Sequence, residues 1–119
     1  NVSKVLKNLK DKGFKINLIT ARHAENRKLT ENWLQKYSIP YDKLYHEDNK
    51  APLAIKENIE LFIEDNYNNA IDIASKNIPV LLVNKYHNLT KELYDNIKRV
   101  NNWTEIKNHI IEYFSLNSL

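Results

Sequence analysis

Cysteine and methionine are absent from these 119 residues, glycine occurs once and proline three times. Without cysteine there is no disulfide and no thiolate metal site. No apolar run approaches the roughly 18 residues that a membrane span requires. Charge of one sign is never concentrated: 18 Lys and Arg face 15 Asp and Glu for a net charge of +3, and no block of five like charges occurs. That balance suits an anionic small molecule better than a nucleic acid, which calls for a clustered basic face. There is no internal repeat, low-complexity tract or linker-like segment, so the chain reads as one domain at most. A hydrophobic fraction of 42% is enough for a folded core. Asn1-Val-Ser3, Asn88-Leu-Thr90 and Asn102-Trp-Thr104 match the N-glycosylation pattern, and in so Asn-rich a chain they read as chance matches.

What is present alternates between helical and strand-like periodicity. Val2, Val5, Leu6 and Leu9 mark one face of a helix, and Gly13 supplies its left-handed stop. The short apolar run 15–19 ends at Thr20 and reads as a buried strand. Residues 24–37 read as a second helix with an apolar face of Leu29, Trp33, Leu34 and Tyr37, closed by Ser38-Ile39-Pro40. A weaker strand is expected over 42–46, with Leu44 in the core. A short helix over 51–58 opens near Pro52, a strand follows over 59–63, and a helix over 67–76. Pro79 to Val83 is apolar throughout, as in a parallel strand buried on both faces. Leu89, Leu93, Tyr94 and Ile97 suggest another helix. Asn102 and Glu105 form a capping pattern for the last one, whose apolar face is Trp103, Ile106, Ile110 and Phe114. The alternation predicts an α/β fold with a parallel sheet and helices on both sides.

Two of these strand-like runs end in chemically usable residues. Leu18-Ile19 runs into Thr20-Ala21-Arg22, and Phe62-Ile63 runs into Glu64-Asp65, with Lys50 between them. Ligands of open α/β sheets gather at the carboxyl ends of strands. A phosphoryl group needs donors and positive charge aimed at its non-bridging oxygens, which Thr20, the Ala21 N–H and Lys50 can bring. Two adjacent carboxylates repel unless a cation or donors compensate, and magnesium takes one or two carboxylates with waters and phosphate oxygens. Each piece also has a plain structural reading. Thr20 can cap the next helix, Lys50 can be a solvated lysine, Arg22 can pair with a carboxylate at a sheet edge, and Glu64-Asp65 can open a surface helix. His46-Glu47-Asp48 has metal-binding residue types, but consecutive loop residues rarely point to one centre. His87 and His109 read as surface residues, and Tyr37, Tyr41 and Tyr45 as core and rim packing.

The order strand-end Thr, Lys, acidic pair resembles the haloacid dehalogenase-like phosphatase superfamily. Leu18-Ile-Thr-Ala-Arg22, the stretch from Thr30 to Leu44 with Trp33 and Asp42-Lys43-Leu44, Phe62-Ile-Glu-Asp65 and Trp103-Thr-Glu-Ile106 together resemble its small bacterial 5'(3')-deoxyribonucleotidase-like members. The resemblance covers nearly the whole chain. It implies a three-layer α/β/α Rossmann-like parallel sheet and a magnesium-dependent phosphatase working through an aspartyl-phosphate. It also implies a small phosphomonoester substrate of the nucleoside monophosphate class. Carried over residue by residue, Thr20 and Lys50 are the catalytic phosphate-orienting and charge-neutralising groups, Thr20, Ala21, Arg22 and Lys50 contact substrate, and Asp65 with Glu64 holds Mg2+.

The superfamily's nucleophile lies in an Asp-x-Asp element on an earlier, central strand, and no Asp-x-Asp occurs here. The expectation is therefore that residues 1–119 are the C-terminal part of a hydrolase core domain, with nucleophile strand and cap elsewhere and no activity alone. Without that strand, either the Thr strand and the acidic-pair strand close on one another, or a strand from another chain fills the slot, or the segment that carries it is present in the protein beyond residues 1–119. A cytoplasmic protein, free of nucleic acid and membrane and compatible with a homodimer, is the accompanying expectation. The alternative is a non-catalytic module of the same fold that binds phosphate or metal without turnover. A basic nucleic-acid-binding domain is a third reading, resting on charge alone.

Overall fold

The computed structural model describes residues 2–89 and 92–119. Its backbone divides into two units, residues 1–48 with 107–119 and residues 49–106. Both contain helices and parallel strands, consistent with a Rossmann-like α/β fold.

In the first unit, α1 (Val2–Asp11) buries Val5, Leu6 and Leu9, the face expected from their spacing. Gly13 ends it at φ 95°, where the Gly13 N–H donates to the Lys10 carbonyl (2.9 Å) and the Phe14 N–H to the Leu9 carbonyl (3.0 Å). This double return satisfies carbonyls that a helix end otherwise leaves open. Strand β1 (Asn17–Thr20) follows, then a 3-10 turn at Ala24–Asn26 and helix α2 (Arg27–Lys36). Strand β2 (Lys43–His46) pairs in parallel with β1, setting Leu18 beside Leu44 and Thr20 beside His46. Asp42 fixes the start of this ladder. One of its oxygens meets Lys10 Nζ at 2.6 Å and the other accepts the Ile16 N–H at 2.6 Å.

The apolar face expected for α2 is only partly the buried one. Thr30 and Leu34 face inward, whereas Leu29, Trp33 and Tyr37 are exposed, with the Trp33 and Tyr37 rings 4.9 Å apart. A four-residue repeat of large apolar groups gives helical phase without saying which side is covered. Tyr37, taken as core or rim packing, accordingly stands on the surface.

In the second unit, α3 (Lys50–Lys56) leads to β3 (Phe62–Glu64), α4 (Tyr67–Ala74), β4 (Val80–Val83), β5 (Ile97–Val100) and the start of α5 (Trp103–Tyr113). Strand β4 lies between β3 and β5, all parallel, and Val80, Leu81 and Leu82 are buried. Ala70, Ile73 and Ala74 of α4 and Ile106 of α5 complete the core of this unit. The capping pattern at α5 is present: Asn102 Oδ1 accepts the Glu105 N–H at 2.9 Å.

Two expectations fail here. The helix expected through Leu89, Leu93, Tyr94 and Ile97 is not formed; Ile97 opens β5 instead, and Leu89 and Tyr94 are exposed. Thr90 and Lys91 lie outside the described residues. In β5 the buried pair is Ile97 and Val100, three apart, so the strand carries no two-residue alternation to betray it. The run 59–63 is also mostly not strand. The Ile59 N–H donates to the Ala54 carbonyl at 3.0 Å as part of the stop of α3, and β3 begins only at Phe62.

The parallel strands fall in two sheets, β1-β2 and β3-β4-β5, in keeping with the α/β class expected from sequence. Among the described residues β1 bonds only to β2 and β3 only to β4, and no other strand of the chain occupies the free edge of either. No helix among the described residues is long and apolar enough to cross a membrane.

Candidate active site

Thr20 closes β1, where its hydroxyl oxygen accepts the Arg22 N–H at 3.2 Å. That local bond leaves the hydroxyl hydrogen free to donate elsewhere, since a threonine hydroxyl is both acceptor and donor. Ala21 and Arg22 follow in an exposed turn, and the Arg22 side chain has no ion-pair partner among the described residues. His46, beside Thr20 in the ladder, has a buried Nε2 with no hydrogen-bond partner among them.

The carboxyl end of β3 holds the other expected residues. Lys50, first residue of α3, places Nζ 3.0 Å from Glu64 Oε1, and the two side chains are only 11% and 6% exposed. The second Glu64 oxygen accepts the Asp65 N–H at 3.1 Å and the Asn66 N–H at 3.2 Å. Glu64 is thus the last strand residue, buried, and compensated by one cation and two backbone donors. Lys50 keeps two further N–H donors beyond the one given to Glu64. Asp65 differs: its carboxylate is exposed and has no partner among the described residues. Asn66 Oδ1 accepts the Asn69 N–H at 2.9 Å and so caps α4, a task that neither carboxylate performs.

As a donor set for a hard cation this is half of what magnesium uses. Asp65 offers a free carboxylate at a strand end, while both Glu64 oxygens are engaged. Among the described residues no three His, Asp or Glu side chains converge as a metal cluster, His46-Glu47-Asp48 included.

One participant escaped the sequence reading. Asn88, in a loop after β4, is fully buried, and its side-chain nitrogen donates to the Asp65 carbonyl at 2.8 Å. From sequence it stood out only as a glycosylation match; its burial removes it as an acceptor, and Asn102 is occupied in capping α5. Asn1 lies outside the described residues.

No protein-family model and no solved structure matches the chain. Curated relatives do. The chain is 42% identical over 90 residues to a protein named as a nucleotidase from Clostridium acetobutylicum, covering 74% of this chain and 46% of that protein. It is 38% identical over 94 residues to a Bacillus subtilis protein carrying the name "Putative nucleotidase", covering 76% of this chain and 48% of that one. A protein of the same name from Halalkalibacterium halodurans is 32% identical over 98 residues, covering 80% of this chain and 50% of that one. The chain therefore spans about half the length of the curated relatives it matches, and it is their names that support a nucleotidase family.

Proposed function

We propose that the chain carries the phosphate- and metal-binding part of a magnesium-dependent nucleotidase of the haloacid dehalogenase-like type. The observation behind this reading is the buried Lys50–Glu64 pair at 3.0 Å beside the partner-free carboxylate of Asp65. A lysine clamped by a carboxylate that is itself held by two backbone N–H groups has little freedom left. Its remaining donors form a fixed positive site for phosphoryl oxygens. In this role Glu64 orients Lys50 rather than ligating the cation. Asp65 would hold Mg2+, which when bound neutralises charge on the phosphoryl group.

Thr20 would donate its hydroxyl hydrogen to a phosphate oxygen, with the Ala21 N–H and the Arg22 side chain as further contacts. The nucleophile would come from an Asp-x-Asp strand, an element that these 119 residues do not contain. Attack by that carboxylate on phosphorus would break the ester P–O bond, releasing the nucleoside as its oxygen takes up a proton. The aspartyl-phosphate so formed would be hydrolysed by water to free carboxylate and inorganic phosphate. A nucleotide substrate follows the names of the relatives, and its reading as a nucleoside monophosphate follows the resemblance to the superfamily.

The test is phosphate release from a panel of nucleoside monophosphates, by the chain alone and by a protein extended to the relatives' full length, with Mg2+ and with EDTA. Release by the extended protein with Mg2+ alone supports the reading. Binding of inorganic phosphate without release by either protein would establish the non-catalytic module instead.

A further inference from the structure

Asp65 has an exposed side chain on a main chain fixed from both sides. The peptide before it is held by its N–H to Glu64 Oε2 at 3.1 Å. The peptide after it is held by the Asn66 N–H to the same oxygen at 3.2 Å and by its carbonyl, which accepts from Asn88 Nδ2 at 2.8 Å. With both peptide planes pinned, the direction in which the carboxylate leaves the backbone is set, and only its own side-chain torsions remain.

Asn88 is the buried member of this frame. Its amide nitrogen also donates to the Val83 carbonyl at 3.0 Å, and its amide oxygen accepts the Lys85 N–H and Arg99 Nη1, both at 3.2 Å. All four hydrogen-bonding positions of the amide are used. Arg99, on β5, adds Nη2 to the Asn88 carbonyl at 2.7 Å and Nη1 to Asn84 Oδ1 at 2.8 Å. One side chain thereby joins the ends of β3 and β4 to a residue of β5. Aspartate there could not donate, and its charge would face two carbonyl oxygens.

We propose that Asn88 is a positioning residue for Asp65, fixing the backbone from which the carboxylate meets a divalent cation. The inference rests on the assignment of Asp65 as the metal ligand, so the test reads the metal site separately from the support. Backbone amide NMR of the chain is followed during Mn2+ titration, which reports even weak occupancy through paramagnetic broadening. Hydrogen exchange at the Asp65 and Asn66 amides is measured without metal. In the wild type, broadening is expected to centre on Asp65. Asn88→Ala should need at least about tenfold more Mn2+ for the same broadening, the usual scale for losing an outer support of a ligand. It should also speed exchange at Asp65 and Asn66 while leaving Leu81 and Leu82 unchanged.

Arg99→Gln keeps the amide but withdraws its support, and should shift both readouts in the same direction by less. It stands in as the deciding variant if Asn88→Ala does not fold. A folded Asn88→Ala, or in its place a folded Arg99→Gln, that titrates and exchanges like the wild type overturns the inference. Wild-type broadening that is absent, or centred away from Asp65, overturns the metal assignment itself and the inference with it.

Discussion

Lys50 Nζ and Glu64 Oε1 meet at 3.0 Å with both side chains nearly removed from solvent, so neither charge can lose its partner without being stranded. Breaking such a pair costs about 3–5 kcal/mol, because the remaining charge keeps its desolvation penalty. Lys50→Met and Glu64→Gln are each expected to destabilise on that scale, and the double variant by less than their sum, with a coupling of about 1–3 kcal/mol. Chemical denaturation of the four proteins measures it. Strict additivity would show that the pair contributes nothing as a pair.

Magnesium should bind the chain weakly and through Asp65, since the other nearby carboxylate is already engaged. Calorimetric titration is expected to give a shallow isotherm that Asp65→Asn abolishes. Tight binding indifferent to that substitution would place the metal elsewhere.

Asp42 gives a pH dependence of known sign. Its hydrogen bond from Lys10, then that from the Ile16 N–H, holds its carboxyl below the usual carboxylate range. A folded pKa below the unfolded one adds stability that is fully present above the unfolded value, about 3.9, and is lost as pH falls through the folded value. The pair is partly exposed, so solvent screening keeps the gain small. Urea midpoints should fall below about pH 4 more steeply in the wild type than in Asp42→Asn. Parallel acid limbs would contradict the assignment.

Helix ends offer a separate test. Gly13, Ser38, Asn58, Asn77 and Ser115, one after each helix, all have positive φ, and four of them are not glycine. Serine pays a Cβ penalty there that glycine does not, and asparagine tolerates the conformation better. Ser38→Gly should therefore stabilise by about 0.5–1 kcal/mol after the entropy loss of glycine is counted, and Asn58→Gly by less. Gly13→Ala should cost about 1 kcal/mol through conformation alone, since an added Cβ meets nothing within 4 Å. Thermal or urea melts of these variants check the order.

Much of this was legible in the sequence where one residue type does one job. Gly13 marked its helix stop, Asn102 its cap, and the apolar run before Val83 the central strand of its sheet. Thr20 and Glu64 were legible as strand-end residues because apolar runs stop at them. Strand β5 was hidden because Ile97 and Val100 have helical spacing, and the exposed side of α2 because Leu29, Trp33 and Tyr37 look like a core face. That Glu64 would be spent on Lys50 could not be read at all. Two adjacent carboxylates look equivalent until the backbone turns one in and the other out. The role of Asn88 was equally invisible, since its partners are backbone carbonyls without sequence identity.

The measurement that bears most directly on the account is steady-state phosphate release from a nucleoside monophosphate by the protein extended to the length of its relatives, comparing wild type with Lys50→Ala, Asp65→Asn and Thr20→Val. The account expects Mg2+-dependent turnover in the wild type. It expects losses of at least about a hundredfold in kcat for Lys50→Ala, the scale of removing one preorganised charge-stabilising donor. Asp65→Asn should lose turnover together with its Mg2+ response, and Thr20→Val should show a smaller loss. Wild-type turnover retained by Lys50→Ala and Asp65→Asn would contradict it.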